Sequence, residues 1–221
     1  MAIQKTEAIV LRRQEVRETS VMLTAFTPNL GKFQGLVKGV RGGRAAVPWY
    51  LEPLTLQSVI LYERRRSPWV LVSACDLLDG FEPIRRDLAR TAYATYCLDL
   101  VDSMTGVADP HPEIFHSLLS VLRSMEPAEA DLAALARYLE THLLRISGLL
   151  PKAEVLAVSP AAREAFRKIL STPFPQAGSL KLDREAEPVL RRLLQGQLRQ
   201  ALERDLRSRV FLLSLGLENA A

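Results

Sequence analysis

The run Gly31-Lys32-Phe33-Gln34-Gly35-Leu36-Val37-Lys38-Gly39-Val40-Arg41-Gly42-Gly43-Arg44 places four cations and five glycines in fourteen residues. A short strand-like stretch there opens into a glycine-broken loop that holds three of the cations. Glycine has no Cβ, so a ligand can approach the backbone closely. Lysine and arginine offer charge and hydrogen-bond donors to phosphate. No nucleophile or base stands nearby, so the pattern suits a nucleic-acid backbone better than a small substrate. Lys32, Lys38, Arg41 and Arg44 are the primary candidates for phosphate contact. Arg12 and Arg13, and the run Arg64-Arg65-Arg66, form a second tier. A solvated charged turn explains that run equally well. Phe33, Trp49 and Tyr50 are candidates for base stacking, whereas Trp69, beside an apolar run, reads as core.

Other chemistry finds little support. His111, His116 and His142 lack a histidine or cysteine at zinc-ligand spacing. The glycine loop has neither the Walker order nor the strand-GxGxxG-helix setting of a dinucleotide site. Ser147-Gly148 reads as a helix end, not a nucleophile elbow. Asp99 and Asp102 share a helix face but form no two-metal constellation. The sequence therefore predicts a protein that is not an enzyme.

Charge is distributed unevenly. The 221 residues carry a formal net charge of +4. Residues 1–80 hold 11 Lys and Arg against 7 Asp and Glu, whereas residues 81–221 hold 18 of each. The excess that would steer a polyanion sits in the first third. Cys75 and Cys97 form no CxxC and no disulfide framework. The start of the chain lacks the apolar region of a signal peptide, and no apolar run reaches the roughly 20 residues needed to span a bilayer. These features predict a soluble, intracellular protein.

The elements that must position these residues follow two periods. Thr6–Arg12, Val21–Thr27, Lys32–Lys38, Leu54–Glu63 and Trp69–Cys75 read as short strands separated by turn signals. Both faces of Leu54–Glu63 are partly apolar, so its inward face stays open. Five short strands suit a small closed barrel, because closure removes exposed edges, and the five-stranded OB-fold is the candidate. After Gly80 the period becomes helical. The set Leu88, Ala92, Tyr96, Leu100, Met104 makes one stripe. Ile114 to Met125 makes a second, and Leu132, Leu135, Leu139, Leu143 and Ile146 a third. Gly148 and Pro151 stop the third helix, and Ser159-Pro160 reads as an N-cap. Val189–Leu194 and Leu198–Leu213 close the chain as helix, broken near Gly196, with Glu203 and Arg207 expected to pair. The fold class is thus α+β and multidomain. An OB-fold barrel over 1–80 is followed by an all-α domain over 81–221.

Several stretches resemble the RecO family of bacterial recombination mediators. They are Glu7-Ala8-Ile9-Val10-Leu11-Arg12, Leu23-Thr24-Ala25-Phe26-Thr27, Gly31-Lys32, Lys38-Gly39, Leu51-Glu52-Pro53-Leu54, Tyr93 to Leu100, Leu143 to Pro151 and Leu206 to Leu212. The resemblance implies a DNA repair and recombination protein of the cytoplasm, associated with the nucleoid and not with membrane. Such a protein binds single- and double-stranded DNA and anneals complementary strands. With RecR it helps load RecA onto DNA coated by single-stranded-DNA-binding protein. The resemblance also implies that the helical domain binds the acidic C-terminal tail of that coating protein; Arg137 and Arg145, beside the third helical stripe, are the candidate donors. Many family members carry four zinc-binding cysteines after the Gly-x-x-Pro stretch. Here Lys152 to Leu182 has no cysteine and no histidine, so a degenerate, metal-free insert near 152–182 is expected, packed through Val155, Leu156, Val158, Phe166 and Ile169. No cofactor is expected. The competing reading is a protein-interaction adaptor without direct DNA affinity, whose sign would be a basic loop folded back against acidic residues such as Glu15 and Glu18; a second competitor is a nuclease or other nucleic-acid enzyme, which divalent-metal-dependent cleavage would expose.

Overall fold

The computed structural model describes residues 3–16, 20–38, 51–62, 69–150 and 159–218. They divide into two compact units, Met1–Phe81 with Thr105–Phe115, and Glu82–Met104 with His116–Ala221. The sequence predicts one helical domain over 81–221. The segment after the first long helix belongs with the strands instead.

The first unit is a closed barrel of β1 (Ile3–Val16), β2 (Ser20–Thr27), β3 (Gly31–Lys38), β4 (Leu56–Tyr62) and β5 (Val70–Asp79), in the order β1-β2-β3-β5-β4. Closure depends on β1, which serves two neighbours. Its first half pairs antiparallel with β4, from Ile3 with Tyr62 to Ile9 with Leu56. Its second half pairs with β2, from Ile9 with Phe26 to Val16 with Ser20. The register slips between Val10 and Arg12, a bulge of the kind that bends a strand from one partner to the next.

Period-2 alternation fills the interior. Ala8, Ala25, Phe33, Val59, Leu61 and Val72 form one buried cluster, and Val10, Val21, Leu23 and Leu51 another. This settles β4: Val59 and Leu61 point inward. β3 and β5 pair in parallel only over Gly35–Val37 and Val70–Val72. The start of β3 is completed by the later segment, where Val107 bridges to Lys32 and the Ala108 N–H donates to the Lys32 carbonyl at 2.9 Å. Gly31 makes this approach feasible. Its φ is +68°, and a Cβ there would lie 2.2 Å from the Asp109 carbonyl oxygen.

The second unit holds α1 (Glu82–Arg85), α2 (Leu88–Met104), most of α3 (Pro112–Ser124), α4 (Leu132–Ile146), α5 (Pro160–Ser171), α6 (Ala186–Leu202) and α7 (Arg207–Ser214), with a 3-10 turn at Phe174–Ser179. Asp131 caps α4 by accepting from the Ala134 N–H, and Ser159 caps α5 by accepting from Ala162. Gly148, at φ +70°, ends α4 as the sequence predicts. α4 packs against α2, α5, α6 and the 3-10 turn. Every residue from Ala134 to Leu144 is consequently buried, polar ones included. α6 runs unbroken through Gly196 and stops at Glu203, whose backbone is left-handed at φ +54°. Glu203 and Arg207 therefore do not share a helix. Asp205 takes the neighbouring guanidiniums instead, from Arg199 at 2.8 Å and Arg209 at 3.0 Å. No helix among the described residues is long and apolar enough to cross a membrane.

The segment expected to resemble a metal-free insert becomes, in its described part, α5 and the 3-10 turn. Phe166 and Ile169 are buried as expected, with Ala162 and Ala165. Val155, Leu156 and Val158 lie outside the described residues. With no cysteine or histidine between 152 and 182, this stretch does not offer the thiolate and imidazole donors that a structural zinc requires.

Candidate nucleic-acid interface

The barrel register assembles a row that the sequence spreads over 58 positions, from Arg12 to Trp69. Arg12 on β1 pairs with Thr24 on β2, and Thr24 pairs with Gln34 on β3. Gly35 pairs with Val70, which places Trp69 next in line at the head of β5. Arg12, Thr24, Gln34 and Trp69, together with Gln14 and Met22, line an open groove of about 540 Å³ that Arg13 also reaches. Arg12 is exposed.

The predicted cations fare differently. Lys38, at the end of β3, is exposed. Lys32 is not: only 9% of it is accessible, because the Val107–Ala108 segment lies along this part of β3. It lines a separate cavity of about 290 Å³ with Gln4, Asn29, Phe33 and Val107. Lys32 is thereby withdrawn from the primary phosphate set. Arg13 is ion-paired with Glu52, and with Glu15 at 3.4 Å, so its charge is largely answered within the barrel. Arg41, Arg44 and Arg64-Arg65-Arg66 lie outside the described residues.

The stacking candidates are also rearranged. Phe33 is 6% exposed and belongs to the barrel core, since odd positions of β3 point inward. Trp49 and Tyr50 lie outside the described residues. Trp69, read as core from its apolar neighbours, is 46% exposed. The signal was present: Val72 is core, so period 2 sends Val70 inward and Trp69 outward.

The two proposed tail-binding arginines do not come together as a surface. Arg145 is exposed, but Arg137 is fully buried. Its Nη2 donates to Glu140 at 2.8 Å and to Glu218 at 2.7 Å, and its Nη1 donates to Glu187 at 3.2 Å. Tyr96 adds a hydroxyl donor to Glu140 at 2.6 Å, and Gln195 an amide donor to Glu218 at 2.9 Å. Arg137 is therefore a structural hub. Burial works against its charge, but Glu140, then Glu218, Tyr96 and Glu187 more than offset this and raise its pKa. The same burial pushes Glu140 up to about 7, against the pull of Arg137.

Cys75, Cys97 and His142 are each held toward their neutral forms. Burial, then Asp76, raises the Cys75 thiol to about 11, and burial raises Cys97 above its ordinary value. His142 is held down at about 4 by burial and Arg145, and its ring packs on Tyr138 at 4.3 Å and on Phe174 at 5.4 Å. Asp99 accepts from the Ser208 hydroxyl at 2.6 Å at the start of α7, which gives it a structural role.

Comparison with known proteins identifies likenesses over both halves. Residues 1–81 match the family described as Recombination protein O N terminal, and residues 85–158 match Recombination protein O C terminal. The DNA repair protein RecO of Syntrophus aciditrophicus is 29% identical over 72% of this chain and 61% of its own length. That of Alkaliphilus metalliredigens is 32% identical over 66% of this chain and 59% of its own. The match to that of Pelotomaculum thermopropionicum is 26% identical and covers 96% of this chain and 94% of the relative. The first two matches thus span about three fifths of each relative.

Proposed function

The chain belongs to the RecO family, and from that premise we propose that it is a non-enzymatic DNA repair and recombination mediator whose barrel grips the nucleic-acid backbone. The observation that carries this reading is the exposed Arg12 on a groove crossing four strands of the barrel. Residues 1–80 also carry the chain's whole excess of positive charge. Among the described residues Arg12 and Lys38 are the proposed phosphate contacts, with Arg41, Arg44 and Arg64-Arg65-Arg66 of the sequence proposed beside them.

Annealing needs no catalytic group. Two polyanions must approach each other, and cations that neutralise phosphate lower that repulsion while leaving base edges available for pairing. The protein binds single- and double-stranded DNA, anneals complementary strands, and with RecR helps load RecA onto DNA coated by single-stranded-DNA-binding protein. Its helical unit takes that protein's acidic tail, with exposed Arg145 as a contact. The site of action is the cytoplasm, on the nucleoid.

The test is annealing of two labelled complementary oligonucleotides, bare and coated with the cognate single-stranded-DNA-binding protein. Acceleration on both substrates is expected. Each of Arg12→Ala and Lys38→Ala should flatten the single-strand salt dependence, log affinity against log salt, by about 0.7. The pairing of Arg13 with Glu15 and Glu52 leaves Arg13 a lesser contributor to phosphate contact. An absence of DNA binding at low salt, with no annealing, would refute the DNA-binding reading and leave the adaptor as the better account.

A further inference from the structure

We propose that Trp69 is a base-stacking residue that makes the barrel groove favour single strands over duplex, an inference that rests on the DNA-binding reading above. Strands in a sheet lie about 4.8 Å apart, so the row Arg12-Thr24-Gln34-Trp69 spans three spacings, roughly 14 Å. A cation stands at one end and an indole at the other. Trp69 is one of the exposed large apolar side chains of the barrel unit, at 46%, whereas Val70 and Val72 of the following strand turn toward the core.

The occupant follows from this pairing of chemistries. A backbone laid over Arg12 directs its bases along the row toward the indole. Every base has a π-face, so stacking on Trp69 is tolerant of sequence. Gln14 and Gln34 each carry both a donor and an acceptor and impose no strong base choice. In a duplex the base faces are already covered by neighbouring pairs, and only the phosphates remain to be gripped. One stacked base is worth roughly 5- to 150-fold in affinity, and single strands alone collect that factor.

The test measures anisotropy of three labelled probes of equal length at one salt concentration: a mixed-sequence single strand, the same strand with abasic sites in place of its bases, and the duplex. The parent chain should bind the base-bearing strand about ten-fold more tightly than the abasic strand. Trp69→Ala should erase that difference and leave duplex affinity within two-fold. Trp69→Phe should keep most of it, because an aromatic face remains. Circular dichroism confirms that each variant is folded, as expected for a half-exposed side chain. If Trp69→Ala weakens base-bearing, abasic and duplex probes equally, or weakens none, stacking is refuted while the DNA-binding reading stands. If the parent binds no probe at low salt, both fall. Binding of an apolar peptide that Trp69→Ala abolishes, with DNA binding untouched, would assign the groove to a protein partner instead.

Discussion

Replacing Arg137 by methionine keeps the length of the side chain and removes only its charge and donors. In the parent, the guanidinium holds Glu140 and Glu218, which are 0% and 1% exposed, and reaches Glu187, which is 18% exposed. Without it, two buried carboxyls must either stay ionised with no cation beside them or take up protons. Removing one partner of a buried ion pair costs about 3–5 kcal/mol, out of a total near 5–15 kcal/mol for an ordinary domain. The melting temperature of the helical unit should fall on the order of 10–20 °C. Thermal and urea melts followed by circular dichroism at 222 nm read this directly. The loss should be larger at pH 8 than at pH 6, because proton uptake relieves the stranded acids at the lower pH. Replacing the group together, as Arg137→Met/Glu140→Leu/Glu218→Met, should recover only part of the loss, since the two buried carboxyls go but the Tyr96 hydroxyl and Gln195 amide lose their acceptors. A single Arg137→Met variant within about 1 kcal/mol of the parent at both pH values would refute the hub and restore Arg137 as a candidate for partner contact.

Glu140 and His142 should pull stability in opposite directions between pH 4.5 and 6.5. Native Glu140 keeps a proton that the unfolded chain has lost, since burial raises it from 4.5 to about 7, so its contribution falls as pH rises. Native His142 lacks a proton that the unfolded chain holds, since burial lowers it from 6.5 to about 4, so its contribution rises with pH. Urea midpoints across this window should slope upward with pH in Glu140→Gln and downward in His142→Phe, each differing from the parent by up to about 1.4 kcal/mol per pH unit. Gly31→Ala should destabilise the barrel by at least about 2 kcal/mol, read by tryptophan emission during urea melts, because a Cβ at φ +68° meets the Asp109 carbonyl. In α6, Gly196→Ala should add about 0.5–1 kcal/mol to stability by urea melt, since a Cβ there meets nothing within 4 Å.

The strands and most helix boundaries were legible because alternation and capping are local signals. Ser159, Pro160 and Gly148 mark their helix ends by chemistry that acts within a turn. What the sequence concealed depended on distant partners. Arg137 is eighty-one residues from Glu218, and no periodicity in α4 announces that pairing. Lys32 looks like an exposed cation until Val107, seventy-five residues later, lies against it. Gly196 looked like the break in the last helices, yet propensity alone does not interrupt a helix packed on α4 and α5. The interruption falls at Glu203, which has no sequence signature for a left-handed backbone. Trp69 differs for another reason: its apolar neighbours suggest core, whereas the alternation that turns Val70 and Val72 inward turns Trp69 outward.

The route of the chain through Thr105–Phe115 has a consequence for biosynthesis. Fourteen residues of β1 and all the other strands have been made by Asp79, yet the barrel's last piece is encoded beyond α2. At a translation rate of about 5–20 residues per second, a nascent barrel waits some seconds with part of β3 uncovered before Val107 and Ala108 emerge. A fragment cut at residue 81 would remain permanently in that unfinished condition. A faithful isolated barrel calls for the 105–115 segment to be spliced back on through a short linker.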